Sequence, residues 1–184
     1  RGCSVVLYCQ PLVSAVALRS VHAVSALCNA LCCRNAHAVI TPITSAAATG
    51  LKPTDIDILI TNTSIYCPTP SVASLMVNMF KMREDVQCYH LGGMGCAMGV
   101  VGLNLVRDML IAHPGKICLF VGSEIITSAF YPGLRQEALV TNALFRMGGY
   151  ASILTNNPSW RSRSKYQLNH VLRVHTGQSD RAFK

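Results

Sequence analysis

The chain has 184 residues, of which 51% are hydrophobic and only 13% charged; this excludes a disordered chain and calls for one domain of ordinary size with a large core. Sixteen basic and eight acidic residues leave a formal net charge of +8. The basic residues are scattered except for a group at Arg161, Arg163 and Lys165, and no basic run is interleaved with aromatics, so there is no signature of nucleic-acid binding. The balance suits anionic substrates such as phosphate-bearing carriers, or an anionic membrane surface.

Residues 1–37 differ from the rest: they hold no acidic residue and no glycine after Gly2. Their apolar run Val5–Leu18 is interrupted by Pro11 and closed by Arg19, which is short of the roughly 20 residues of a membrane span. There is no initiator methionine, which reads as a fragment. Five of the nine cysteines lie here (Cys3, Cys9, Cys28, Cys32 and Cys33), with no zinc-type pairing of Cys-x-x-Cys motifs. Cys88 and Cys118 fall inside apolar runs, and the whole set reads as reduced thiols rather than a disulfide framework.

Val39–Thr49 reads as a helix or an irregular lead-in, stopped by Gly50 and Pro53. Asp55–Thr61 is a short continuous apolar run, the pattern of a buried strand. After the turn residues Pro68 and Pro70, Ser71 is placed to cap a helix whose apolar stripe is Val72, Leu75, Met76, Met79 and Phe80. Val86–Leu91 reads as a second strand, Val100–Ala112 as a second helix stopped by His113-Pro114-Gly115, and Ile117–Gly122 as a third strand. Ser123–Arg135 reads as a loop, Gln136–Met147 as a helix, Gly149–Thr155 as a fourth strand and Asn156–Ser164 as a polar loop. Tyr166–His175 alternates Leu168, His170, Leu172 and Val174 with other residues, the pattern of a half-exposed strand. Strands alternating with helices predict an α/β layered fold.

The organising stretch is Leu91–Gly99, LGGMGCAMG, in which Cys96 sits among Gly92, Gly93, Gly95 and Gly99. It reads as strand, tight turn and helix, with Cys96 opening the helix. A thiol there faces the positive end of the helix dipole, which favours the thiolate. The backbone N–H groups of Gly95 and Cys96 are placed to hold a developing oxyanion. This is the logic of a nucleophile elbow; a buried cysteine beside a packing turn has the same local pattern.

Among the six histidines, His90 precedes the turn and reads as a strand residue facing a neighbour, and His113 stands at the far end of the helix, about 25 Å along its axis. His170 and His175 read as strand positions. Glu124 reads as a structural carboxylate and Asn142 as a satisfied polar contact in a helix, and no metal-ligand arrangement stands out.

Several blocks occur together: LKPTDIDILITN (51–62), PTPS (68–71), YHLGGMGCAMG (89–99), VGSEIIT (121–127), NALFRMGGYA (142–151) and RSKYQLNHVLRVHTG (163–177). In this order they resemble the plant 3-ketoacyl-CoA synthases, the condensing enzymes of very-long-chain fatty acid elongation. The resemblance covers residues 38–184 and leaves 1–37 as an apolar, cysteine-rich lead without a match. It implies the N-terminal half of a thiolase-like α/β fold, a partial βαβ sheet with helices. It implies Cys96 as the nucleophile that carries an acyl group from acyl-CoA as a thioester. Malonyl-CoA, decarboxylated, would attack this thioester to give 3-ketoacyl-CoA, with no metal or redox cofactor.

The resemblance further implies an endoplasmic reticulum membrane protein that dimerises and works with other elongase enzymes. Members use a histidine and an asparagine from the second half of the fold, and none of the histidines here matches the former. Met98 stands where a small residue is usual, which predicts a crowded turn; Thr63, Cys67 and Ile125 are further departures. Two other readings are a type III polyketide synthase-like condensing enzyme and a non-catalytic half-domain that only associates with other thiolase-fold chains.

Overall fold

The structure, a computed structural model, describes residues 5–9, 50–145, 148–164 and 166–183. Its strands are β1 (Val5–Cys9), β2 (Ile58–Thr63), β3 (Gln87–Gly92), β4 (Ile117–Glu124), β5 (Gly148–Thr155) and β6 (Tyr166–Leu168). Its helices are α1 (Val72–Phe80), α2 (Met98–Ala112), α3 (Gln136–Leu144) and a single turn, α4 (Asp180–Phe183). One sheet holds all six strands in the order β3-β2-β4-β5-β1-β6.

The parallel part is β3-β2-β4. Parallel neighbours need a crossover, and the chain supplies α1 between β2 and β3 and α2 between β3 and β4. The first crossover steps outward from β2 to β3 and the second steps back past β2 to β4, so connections of one hand put their helices on opposite faces. The packing follows that rule. Leu59, Leu119, Val121 and Ile153 meet Val72, Ala73 and Met76 of α1 on one face. Ile58, Ile60, Cys118, Phe120 and Leu154 meet Val106 and Leu110 of α2 on the other. Strands covered on both faces must be apolar at every position, which is why β2 and β4 read as continuous runs. α1 starts where the Ser71 hydroxyl accepts from the Ser74 N–H at 3.3 Å.

The rest of the sheet is antiparallel. β5 runs along β4 from Ile117↔Thr155 to Glu124↔Gly148. β1 pairs with β5 and with β6, so Val5–Cys9 of the amino-terminal lead forms a strand. Val39–Thr49 and the remainder of that lead lie outside the described residues. Among the described residues, no helix is long and apolar enough to cross a membrane, and Cys67, Cys88, Cys96 and Cys118 are free thiols.

Three expected elements change. The helix expected over Gln136–Met147 ends at Leu144. The strand expected over Tyr166–His175 is confined to Tyr166–Leu168, because the ladder with β1 ends at Val5↔Leu168; His170 and His175 lie beyond it, in a segment without regular structure. The polar loop 156–164 contains a 3-10 helix, Pro158–Arg163, with the Arg163 guanidinium 4.5 Å from the Trp160 ring centroid.

Asp57 ties the amino-terminal ends of the parallel strands together. Its carboxylate accepts from the Ile117 N–H at 2.9 Å, from Arg83 at 3.0 Å and from Lys116 at 2.9 Å. Burial pushes its pKa up, but the Ile117 N–H and the two cations outweigh this and hold it below the ordinary 3.8. A depressed carboxylate stabilises the fold above its unfolded-state pKa and loses that contribution as pH falls through the folded one. Asp57→Asn is therefore expected to cost about 1–3 kcal/mol near neutral pH and to flatten the loss of stability below pH 3.8, read from thermal unfolding against pH.

Candidate active site

The carboxyl ends of parallel strands, where connections diverge to opposite sides, are where open α/β sheets leave a crevice. Here β2, β3 and β4 end around a cavity of about 570 Å³. The segment after β2 contributes Ser64 and Ile65, the turn after β3 contributes Gly95 and Cys96, and the end of β4 contributes Glu124 and Ile126. Ala129, Phe130, Thr141, Asn142 and Phe145 close it from the β4–α3 loop and α3.

Cys96 is exposed and lines this cavity. Gly93 and Gly95 have φ of 68° and 79°, in the left-handed region that side chains disfavour, so the turn demands glycine at both. Gly93 N–H donates to Thr63 at 3.3 Å and Met98 N–H to Gly95 at 3.1 Å. The helix was expected to open at Cys96; it begins at Met98, with Ala97 at its cap, because the Gly95–Met98 turn precedes the first helical turn. Cys96 thus stands just ahead of the helix, still at its positive end. No acceptor among the described residues takes its backbone N–H, which leaves that donor available to a ligand. Met98, from which crowding of the turn was expected, has its side chain fully buried and away from the cavity wall. The helix is seated by Gly102, where an added Cβ would come within 2.4 Å of the Phe120 ring.

Glu124 shapes the opposite wall. Its carboxylate accepts from the N–H groups of Ser64 at 2.6 Å, Ile65 at 3.1 Å, Tyr66 at 3.2 Å and Ile125 at 3.2 Å. Three successive backbone donors form an anion-holding concavity, and the anion in it is the protein's own. The structural reading of Glu124 holds, but the partners, about sixty residues away in sequence, carry no local signal. Asn142 is likewise structural: its amide brackets Tyr131, accepting from Tyr131 N–H at 3.0 Å and donating to its carbonyl at 2.9 Å.

His90 lies outside the cavity wall. Its Nδ1 is 2.8 Å from the Thr61 hydroxyl and its Nε2 3.3 Å from that of Thr63. Burial lowers its pKa, and a neutral ring with one donor and one acceptor suits two hydroxyls. His113 caps the far end of α2. Among the described residues no histidine lines the cavity, and no group of His, Cys, Asp and Glu is arranged to hold a metal. Phe130, Thr141 and Phe145 were not legible as site residues; they belong to a loop and a helix that local pattern does not place.

Comparison with known proteins agrees with this geometry. Residues 33–184 match the family described as FAE1/type III polyketide synthase-like protein, and the chain belongs to that family. It is 44% identical to 3-ketoacyl-CoA synthase 5 of Arabidopsis thaliana over 135 residues, 73% of this chain and 27% of that protein. It is 45% identical to 3-ketoacyl-CoA synthase 8 of the same plant over 136 residues, 74% and 28% of the two chains. The chain thus spans little more than a quarter of the length of these curated relatives. Among solved structures it resembles germicidin synthase, a type III polyketide synthase from Streptomyces coelicolor, with a TM-score of 0.59 and 27% identity over 66% of this chain and 31% of that one. The type III polyketide synthase domain of Steely1 from Dictyostelium has the same TM-score, 0.59, at 24% identity over 67% and 33% of the two chains. The thiolase-like α/β fold is therefore established for this chain.

Replacing Glu124 by Gln puts an amide donor where backbone N–H groups converge. The expected cost is about 1–3 kcal/mol. Amide hydrogen exchange should quicken at residues 64–66 and stay unchanged at Ile117, next to Asp57.

Proposed function

We propose that this chain is the acyl-carrying part of a 3-ketoacyl-CoA synthase of fatty acid elongation, with Cys96 as its nucleophile. The observation that carries the reading is the exposed thiol at the start of α2, in a cavity walled by Ile65, Ile126, Phe130 and Phe145. The Cys96 thiolate attacks the carbonyl carbon of an acyl-CoA. The resulting oxyanion is held by backbone N–H groups of the Gly95–Cys96 turn and collapses with loss of the CoA thiolate, leaving an acyl thioester on sulfur. A thiolate suits this role because it is both a good nucleophile and a good leaving group. Malonyl-CoA then loses its carboxyl as carbon dioxide. The electron pair left on its C2 attacks the thioester carbonyl, and the Cys96 thiolate departs to release 3-ketoacyl-CoA. This chemistry needs no metal or redox cofactor.

The decarboxylation step needs groups that stabilise the C2 carbanion, and among the described residues no histidine on the cavity wall serves. We assign that step to parts of the protein beyond these residues, so the 184-residue chain alone carries acyl groups without condensing them. Among the described residues β3 is the outermost strand of the sheet, and this edge supports pairing with a second copy. None of the residues of α3 is buried, and Leu144 and Phe130 are 73% and 61% exposed; this apolar face supports cover by further chain or by a partner. We further propose, from the resemblance to plant 3-ketoacyl-CoA synthases, that the complete protein works at the endoplasmic reticulum membrane with other elongase enzymes. Type III polyketide synthesis remains the second reading, carried by the likeness to germicidin synthase; turnover of long acyl-CoA against aromatic starter thioesters by the full-length parent separates the two.

Incubation with radiolabelled long-chain acyl-CoA is expected to label Cys96 as a hydroxylamine-sensitive thioester and to leave Cys96→Ala unlabelled. Labelling that survives the substitution sinks the assignment. Formation of 3-ketoacyl-CoA by the isolated chain sinks the division of labour.

A further inference from the structure

Cys96 is held by the first turns of α2, and something must hold those turns. Gly102 rests on Phe120, whose ring meets that of Tyr150 edge-on, with centroids 5.5 Å apart and planes at 74°. Tyr150 continues the platform toward the cysteine. An added Cβ on Gly99, in the first turn of α2, would sit 3.2 Å from the Tyr150 hydroxyl oxygen. The same hydroxyl donates to Asn62 Oδ1 at 3.1 Å. Asn62 is the penultimate residue of β2, two residues before Ser64 on the cavity wall. The ring has room only because residue 122 is glycine: a Cβ there would fall 2.1 Å from the ring and 2.5 Å from Asn62 Oδ1. One hydroxyl on β5 therefore bonds the strand end that leads to the opposite wall and lies against the bare face of Gly99 on the nucleophile helix.

We propose that Tyr150 is a positioning residue for acyl transfer: through Asn62 and Gly99 it sets the turn that presents Cys96 and its backbone N–H against the β2 side of the cavity. Tyr150 is not among the residues that line the cavity, so it acts through the elements it holds. Its hydroxyl fixes the spacing between two elements whose relative placement decides whether the oxyanion donors point at the developing charge. A small misplacement of such donors costs rate steeply, whereas simple exposure of the thiol does not depend on them. The inference rests on the acyl-transfer reading.

The experiment compares two reactions of Cys96 in the 184-residue chain and in Tyr150→Phe, Asn62→Ala and the double variant. One reaction is acyl transfer from radiolabelled long-chain acyl-CoA; the other is alkylation by iodoacetamide, followed on the Cys96 peptide by mass spectrometry with the Cys67 peptide as internal reference. Tyr150→Phe keeps the ring and its contacts with Phe120 and Gly122, so the fold is retained. The expected result is acyl transfer slowed about tenfold or more in each single variant, no further slowing in the double, and alkylation within about twofold of the unchanged chain, since a thiol still exposed needs no oxyanion support. Acyl transfer at the original rate in Tyr150→Phe overturns the proposal. So does an equal fall in both reactions, which marks general loosening. Absence of acyl transfer in the unsubstituted chain overturns instead the acyl-transfer reading on which the proposal stands.

Discussion

The position of everything at the site depends on how closely α2 can approach β4. Gly102 lies against the Phe120 ring at a distance that admits no side chain at that helix position. Glycine inside a helix costs roughly 1 kcal/mol relative to alanine, so α2 gives up helix stability at both Gly99 and Gly102. Full burial of an aromatic of the size of Phe120 returns roughly 1.5–3 kcal/mol, with Val106 and Leu110 buried further along the same face. The close contact therefore offsets a propensity loss of about 2 kcal/mol for the two glycines. It also brings the amino end of the helix, and Cys96 with it, over the carboxyl ends of the strands rather than out beyond them.

The two ends of the parallel strands are tied by carboxylates working in different ways. At the amino ends, Asp57 gathers a backbone N–H and two cations, which pins β2 to the start of β4 and to the α1–β3 connection. At the carboxyl ends, Glu124 gathers backbone donors, three from the segment after β2 and one from its neighbour Ile125. The open end must leave a cavity for the thiol, and its loop is held by the Glu124 carboxylate reaching across from β4 together with the packing of Tyr66 on the core.

The nucleophile turn occupies a junction with few contacts of its own. Gly93 and Gly95 supply conformations that other residues avoid and contribute no side chain to bury. Its neighbours hold it in place: Met98 is wholly buried, Gly93 N–H bonds Thr63 at the end of β2, and Tyr150, lying against Gly99, bonds Asn62. His90, which by sequence stands near enough to serve Cys96, is instead spent on the two threonine hydroxyls of β2.

The sequence by itself determined what depends on neighbours along the chain. Continuous apolar runs marked β2 and β4, the stripe from Val72 to Phe80 marked α1, and a cysteine among glycines between a strand and a helix marked the place of the thiol. Those signals are local: burial on both faces, a 3.6-residue period, and backbone freedom at particular glycines. Only the tertiary structure decided that β2 lies between β3 and β4, that Val5–Cys9 closes onto β5, and that alternation past Leu168 has no ladder to join. It also decided that Glu124 is the anion for donors 58 to 60 residues away and that Tyr150 answers Asn62 across 88 residues. Such pairings arise when separate segments are folded onto one sheet, and no period or motif within a segment carries the information about which distant partner will meet it.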